Sequence, residues 1–218
     1  MRLNDGTPVY PGDPAVSIDV TATFEEAGYF NTRLCLGSHI GTHIDAEGHM
    51  IPGGRMLDAY PLDRFHGRGV ILDVRGFLDV RGGAAVPDVR GAGIDDGCIV
   101  LLWTGLSDAQ HEPDYYSRVP ELPTALVDEL IACGVKMVGI DAGSIDSEPF
   151  AIHKALLSNG VLIAENLVGL SAIASRADSE SAEFTVWALP LNLEAEASPA
   201  RVVAAFQPSG AEPSRLGD

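Results

Sequence analysis

Apolar and polar positions alternate with period two over Val16-Ser-Ile-Asp-Val-Thr-Ala22, the pattern of a strand with one buried face. Just before it, Tyr10-Pro-Gly-Asp-Pro14 is turn chemistry. Two nearly continuous apolar runs follow, Val70-Ile-Leu-Asp-Val74 and Cys98-Ile-Val-Leu-Leu-Trp-Thr104, as expected of strands buried on both faces. Residues 76–97 between them are rich in Gly, Asp and Pro and read as a long connection. Over Leu122–Gly134 the period becomes helical: Leu126, Leu130 and Ile131 share a face, Pro123 suits the first turn, and Gly134 ends the helix. Lys136-Met-Val-Gly-Ile-Asp-Ala142 reads as another buried strand, Pro149–Gly160 as a short helix closed by Asn159-Gly160, and Val161-Leu-Ile-Ala-Glu-Asn166 as a brief strand entering a loop. Phe184–Leu189 and Arg201–Phe206 complete the set as closing strands. Alternating helices and strands predict an α/β fold with a parallel sheet at its centre. No repeat or linker divides the chain, so residues 1–218 are expected to form a single domain, with the last ten or so as a mobile tail.

Composition narrows the function. Hydrophobic residues make up 46% and charged residues 21%, a balance that builds a globular core. Fourteen basic against 31 acidic residues leave a net charge of −17, a field that repels nucleic acid and anionic membrane. No apolar run approaches the ~20 residues that span a bilayer, and Met1-Arg-Leu-Asn-Asp-Gly6 has no apolar signal core. Cys35, Cys98 and Cys133 are odd in number and widely spaced, which predicts reduced, mostly buried thiols in a cytoplasmic protein.

The chemistry concentrates in Ser38-His39-Ile-Gly-Thr-His43-Ile-Asp45-Ala-Glu-Gly-His49, where three of the six histidines fall within eleven residues. Neutral imidazoles and ionised carboxylates are ligands for zinc, manganese and iron(II). Gly41, Gly48 and the β-branched residues Ile40, Thr42 and Ile44 argue for a strand and loop, on which His43 and Asp45 face the same way. His39 and His43 have the spacing of the helical zinc-protease motif, but Ile40 stands where its glutamate belongs and Gly41 opposes the helix. There is no Gly-x-Ser-x-Gly elbow and no cysteine beside an evident base. Of the remaining histidines, His66 and His111 read as exposed or loop residues. His153 on the short helix and Glu165 at a strand end are further candidates, each with a plain alternative as a hydrogen-bonded helix residue or a solvated acid.

His39-x-Gly-Thr-His43-x-Asp45-x3-His49 resembles the signature of the cyclase superfamily of metal-dependent hydrolases, which includes bacterial kynurenine formamidases and isatin hydrolases. Pro8-Val-Tyr-Pro-Gly-Asp13, Val138-Gly-Ile-Asp-Ala142, Phe150-Ala-Ile-His-Lys154 and Gly160–Leu167 are similar to further family blocks, in order. The resemblance implies a swivelling β/β/α architecture, a central parallel sheet plus a second antiparallel sheet. It implies a metal set of His39, His43, Asp45, His153 and Glu165, with Asp45 and Glu165 bridging two ions, zinc or manganese, per subunit. It makes His49 the acid/base and Tyr10 a substrate-binding residue. In the isatin-hydrolase branch the Glu165 position is typically glutamine, so glutamate here favours the two-metal arrangement. Three departures bear on the substrate: Tyr10 stands for the usual tryptophan, Glu47 for a proline and Met50 for an aromatic residue. Phe24, Tyr29 and Trp103 are candidates to wall an aromatic pocket, with core packing as the alternative.

These readings predict a cytoplasmic, homo-oligomeric enzyme, dimer or tetramer, hydrolysing a small-molecule arylformamide such as N-formylkynurenine. Ring opening of a cyclic amide or lactone is the alternative, and a non-catalytic metal-bound module the second. The histidines' own orienting partners are not identifiable from the sequence.

Overall fold

The computed structural model describes residues 1–78, 86–180 and 182–206. Its strands are β1 (Ser17–Ala22), β2 (Asn31–Cys35), β3 (His43–Asp45), β4 (His66–Asp73), β5 (Ile99–Trp103), β6 (Met137–Ile140), β7 (Leu162–Glu165), β8 (Phe184–Pro190) and β9 (Ala197–Phe206). Its helices are α1 (Phe24–Ala27), α2 (Thr124–Ala132), α3 (Ala151–Ser158) and α4 (Leu170–Glu180). Strands β4, β5, β6 and β7 are parallel neighbours, as the helix–strand alternation predicts. Strands β8 and β9 extend the sheet antiparallel from β4. The three-residue β3 pairs antiparallel with both β7 and β9, closing seven strands into a barrel. Strands β1 and β2 form a separate antiparallel ribbon.

The parallel strands are buried on both faces because their two residue sets enter different cores. Cys98, Val100 and Leu102 of the β5 segment join Val138, Ile140 and Ile163 under α2 and α3, against Leu126, Leu130, Leu156 and Leu157. Ile99 and Leu101 turn the other way, to Met137, Leu162, Phe184, Val186 and Leu170. Each such Leu or Ile removed from water contributes roughly 1.5–3 kcal/mol.

Helix α2 begins one residue after Pro123, which precedes the first turn instead of lying in it. Gly134 closes the helix at φ 75°, a left-handed conformation that glycine adopts without strain. Helix α3 ends at Asn159-Gly160, as the sequence predicts.

Strand β2 and helix α4 were not anticipated. The ribbon is mostly exposed, with Val20, Phe24, Tyr29, Phe30 and Leu34 all more than half accessible. Phe24 and Tyr29 therefore do not pack in the core, and Trp103 lies beneath the Arg75 guanidinium, 3.5 Å from its ring centre. His66 is half-buried, not exposed, and stacks on Trp187. Cys98 and Cys133 are buried and Cys35 is exposed. The expected mobile tail falls on residues outside those described. Among the described residues no helix is long and apolar enough to cross a membrane.

Candidate metal centre

Strand β3 organises the site. Its period of two places His43 and Asp45 on one face and sends Ile44 into the apolar core. Register places Glu165 of β7 directly opposite His43, so the two side chains are cross-strand neighbours. His153 comes from α3, His39 from the turn before β3, and His49 from the 3-10 turn Glu47–His49. Six residues separated by up to 126 positions thus meet at one place.

Asp45 is the centre of the cluster and is fully buried. His39 Nδ1 lies 2.9 Å from its Oδ1, His43 Nε2 3.3 Å from the same oxygen, and His153 Nε2 3.9 Å from Oδ2. Glu165 adds its carboxylate 3.6 Å from His43 Nε2 and 3.3 Å from His153 Nε2. The Ile145 amide donates to Glu165 Oε1 at 2.7 Å and fixes that carboxylate. The His49 ring sits 4.2 Å from that of His39 and 5.7 Å from that of His153.

The outer nitrogens are engaged. His43 Nδ1 lies 2.8 Å from the Gly41 carbonyl, so in the neutral ring it carries the hydrogen and Nε2, which faces the carboxylates, is the nitrogen free to bind a cation. His153 Nδ1 bonds Asp146 Oδ1. Asp146 Oδ2 also accepts the Ile152 and His153 amides, so one carboxylate both caps α3 and orients its histidine.

Burial alone would lower the His43 and His153 imidazoles. For His43 the Asp45 and Glu165 carboxylates outweigh it and hold the ring up at about 9. For His153 the Asp146 and Glu165 carboxylates do the same, at about 10. Burial opposes ionisation of Asp45, yet the charge of His43 and the contacts of His39 and His43 hold its carboxyl well below the usual range. His49 moves the other way: burial lowers its imidazole and repulsion from His39 and His153 adds to this, against the pull of Asp45 and Glu165.

Of the buried side-chain atoms that make no hydrogen bond among the described residues, three belong to this cluster: His43 Nε2 and both oxygens of Asp45. Such atoms are rare, because each costs ~1–3 kcal/mol when unpartnered. Here they converge. Ligand atoms of His39, Asp45 and His49 lie within 4.8 Å of one another, as do those of His43, Asp45 and Glu165, so two groups share Asp45. Imidazole lone pairs and carboxylates aimed at a common point fit a divalent cation.

A cleft of about 250 Å³ opens onto the cluster, lined by Tyr10, Asp13, His39, His43, His49, Met50, Tyr116, Gly143, Ser144, Phe150, His153 and Glu165. Tyr10 meets Tyr116 edge-on at 5.8 Å, and the Phe150 ring stands 5.9 Å from His153. Tyr10 and the predicted set of His39, His43, Asp45, His49, His153 and Glu165 therefore lie in or around the cleft, whereas Phe24, Tyr29 and Trp103 are not among its lining residues. Asp146, Tyr116 and Phe150 were missed. Phe150 shows a signal visible only in three dimensions, a non-glycine φ of 58°. Glu47 takes no part in the cluster; its carboxylate binds the Arg55 guanidinium, with the shortest contact at 2.6 Å.

Known proteins agree with this geometry. Residues 1–147 match the family model Cyclase, described as "Putative cyclase". An uncharacterized protein of Methanocaldococcus jannaschii is 31% identical, over 89% of this chain and 91% of that protein. A kynurenine formamidase of Bacillus cytotoxicus is 29% identical, over 92% of each chain. A solved structure described as a "potential metal-dependent hydrolase with cyclase activity" superposes with a TM-score of 0.70 at 28% identity, covering 94% of both chains. An isatin hydrolase bound to thioisatinate shares the fold at a TM-score of 0.72 and 19% identity, over 89% of this chain and 82% of that one. The family model spans the signature around Asp45, the relative of 31% identity covers most of the rest, and the chain belongs to the Cyclase family.

Proposed function

We propose that the chain is a metal-dependent amidohydrolase acting on a small arylformamide of the N-formylkynurenine kind. The observation that carries this reading is Asp45, fully buried with both oxygens lacking a hydrogen bond and surrounded by imidazole nitrogens. His39, His43, Asp45, His153 and Glu165 would hold zinc or manganese, and the two carboxylates, Asp45 and Glu165, each lying near both His43 and His153, support a pair of ions per subunit. When bound there, a divalent ion would lower the pKa of a water towards neutrality and offer positive charge to a developing oxyanion. His49 takes the proton of the attacking water and returns it to the leaving nitrogen. Tyr10, Met50, Tyr116 and Phe150 give the aryl group apolar walls and ring edges. The kynurenine formamidase relatives support the formamide as the substrate class.

We also propose that the protein is cytoplasmic and a homo-oligomer, dimer or tetramer. The exposed apolar side chains of the β1–β2 ribbon support the second point.

The test is hydrolysis of N-formylkynurenine by protein loaded in parallel with zinc or manganese, beside a chelated control. Rapid turnover that the chelator abolishes is expected. No turnover by folded, metal-bound protein would overturn the formamide reading. Ring opening of isatin by the same preparation would replace it with the cyclic-amide alternative.

A further inference from the structure

Each of the three imidazoles nearest Asp45 presents one nitrogen inward and one outward. His43 and His153 engage Nδ1 outward, on the Gly41 carbonyl and on Asp146. His39 is turned the other way. Its Nδ1 faces Asp45 Oδ1 at 2.9 Å, and its Nε2 faces Glu196 Oε1 at 3.4 Å. The tautomers must differ accordingly: His39 presents a lone pair to the centre only when the hydrogen sits on Nε2, towards Glu196.

Glu196 is built into this place. It lies in the segment between β8 and β9, and its backbone carbonyl accepts the Ala46 amide at 2.8 Å. That bond ties its loop to the residue following Asp45. The Ser38 hydroxyl donates to the same Oε1 that His39 approaches, at 2.7 Å. His39 is also the ring packed closest to His49. Whatever fixes the angle of His39 therefore fixes the wall against which His49 rests.

We propose that Glu196 is a positioning residue that sets the ring orientation and tautomer of His39, so that Nδ1 faces the metal centre. The proposal rests on the metal-centre reading above and adds a residue that the histidine signature does not contain. Outer carboxylates of this kind typically change metal affinity about 10–100-fold when removed.

The test uses metal-stripped wild type, E196Q and E196A. Each is titrated with cobalt(II), followed by its visible spectrum, and with zinc in competition. E196Q keeps the size and an acceptor but loses the charge, so its affinity should fall roughly 10-fold; E196A should fall roughly 100-fold, with an altered cobalt spectrum. Thermal midpoints of the metal-free proteins should stay together, because the exposed edge of Glu196 adds little to packing. Wild-type affinity and spectrum in E196Q would overturn the proposal, as would a variant that melts lower yet binds cobalt like wild type. Absence of cobalt binding by the wild type itself would overturn the metal-centre reading, and this inference with it. E196Q is isosteric, so the comparison survives even where E196A fails to fold.

Discussion

Asp45 and its neighbours divide into residues that would touch the ion and residues that hold those in place, and each kind has its own signature on substitution. His49 belongs to neither kind. It faces the cleft, as a proton carrier should. His49→Ala is expected to lower kcat roughly 10²–10⁴-fold while metal content, measured on the same sample by elemental analysis, stays at the wild-type value. An unchanged rate would mean the proton is carried elsewhere. Glu165→Gln should reduce the metal content from two ions to one, since an amide is a poor bridge; an unchanged content would remove that role. Asp146→Ala strikes twice, because one carboxylate serves both His153 and the first turn of α3. Metal affinity should drop about 10–100-fold, and the metal-free protein should lose ~1 kcal/mol to the missing cap in chemical denaturation. His43, Asp45 and His49 were legible in the sequence because they crowd one short stretch. Asp146 was not, because nothing in Ser144-Ile-Asp146 distinguishes an orienting acid from a solvated one until α3 is seen folding back onto it.

Elements announce themselves in sequence to the extent that water sees one of their faces and not the other. Strands β5 and β6 are buried on both sides and read as apolar runs. Strand β2 is nearly all exposed, so Asn31–Cys35 shows no alternation, and burial-based reasoning could not find it. Helix α4 carries a stripe of Leu170, Ile173, Ala174 and Ala177, but small alanines and many serines keep that stripe faint. The aromatic wall was misassigned for a related reason: Phe24 and Tyr29 look like pocket residues until the ribbon is seen to hold them away, while Tyr116 sits in an unremarkable polar loop. Element ends carry two further expectations. Asp141 at the end of β6 accepts from the Thr104 and Gly105 amides and from the Thr104 and Ser107 hydroxyls, binding the exit of β5 to that of β6. Asp141→Ala leaves those buried donors unpaired and should cost at least ~3 kcal/mol, read from the urea midpoint. Gly143 lies where a Cβ would stand 2.6 Å from the Tyr116 ring. Gly143→Ala should push that ring into the cleft and raise KM for the aryl substrate, with metal content unchanged; a normal KM would show that Tyr116 does not shape the binding site.

For the whole molecule, the barrel's closing strand is also its metal-facing strand. Only three residues, His43–Asp45, join β7 on one side to β9 on the other. A cation bound at Asp45 would stabilise the folded state by RT ln(1 + [M]/Kd), about 4 kcal/mol at a thousand times Kd, so chelation should lower the thermal midpoint. Because those residues are the seam of the barrel, the ion would act as a clasp on a closed band, felt along both edges at once. Hydrogen exchange would register this in both strands that flank β3. The amides of Ile163 and Glu165 on one side and of Ser198 and Ala200 on the other would gain protection in step as metal is added. Loss of the metal would then register first as a loosened band and at His153 of α3, before any change in α2 or α4, which carry no ligand.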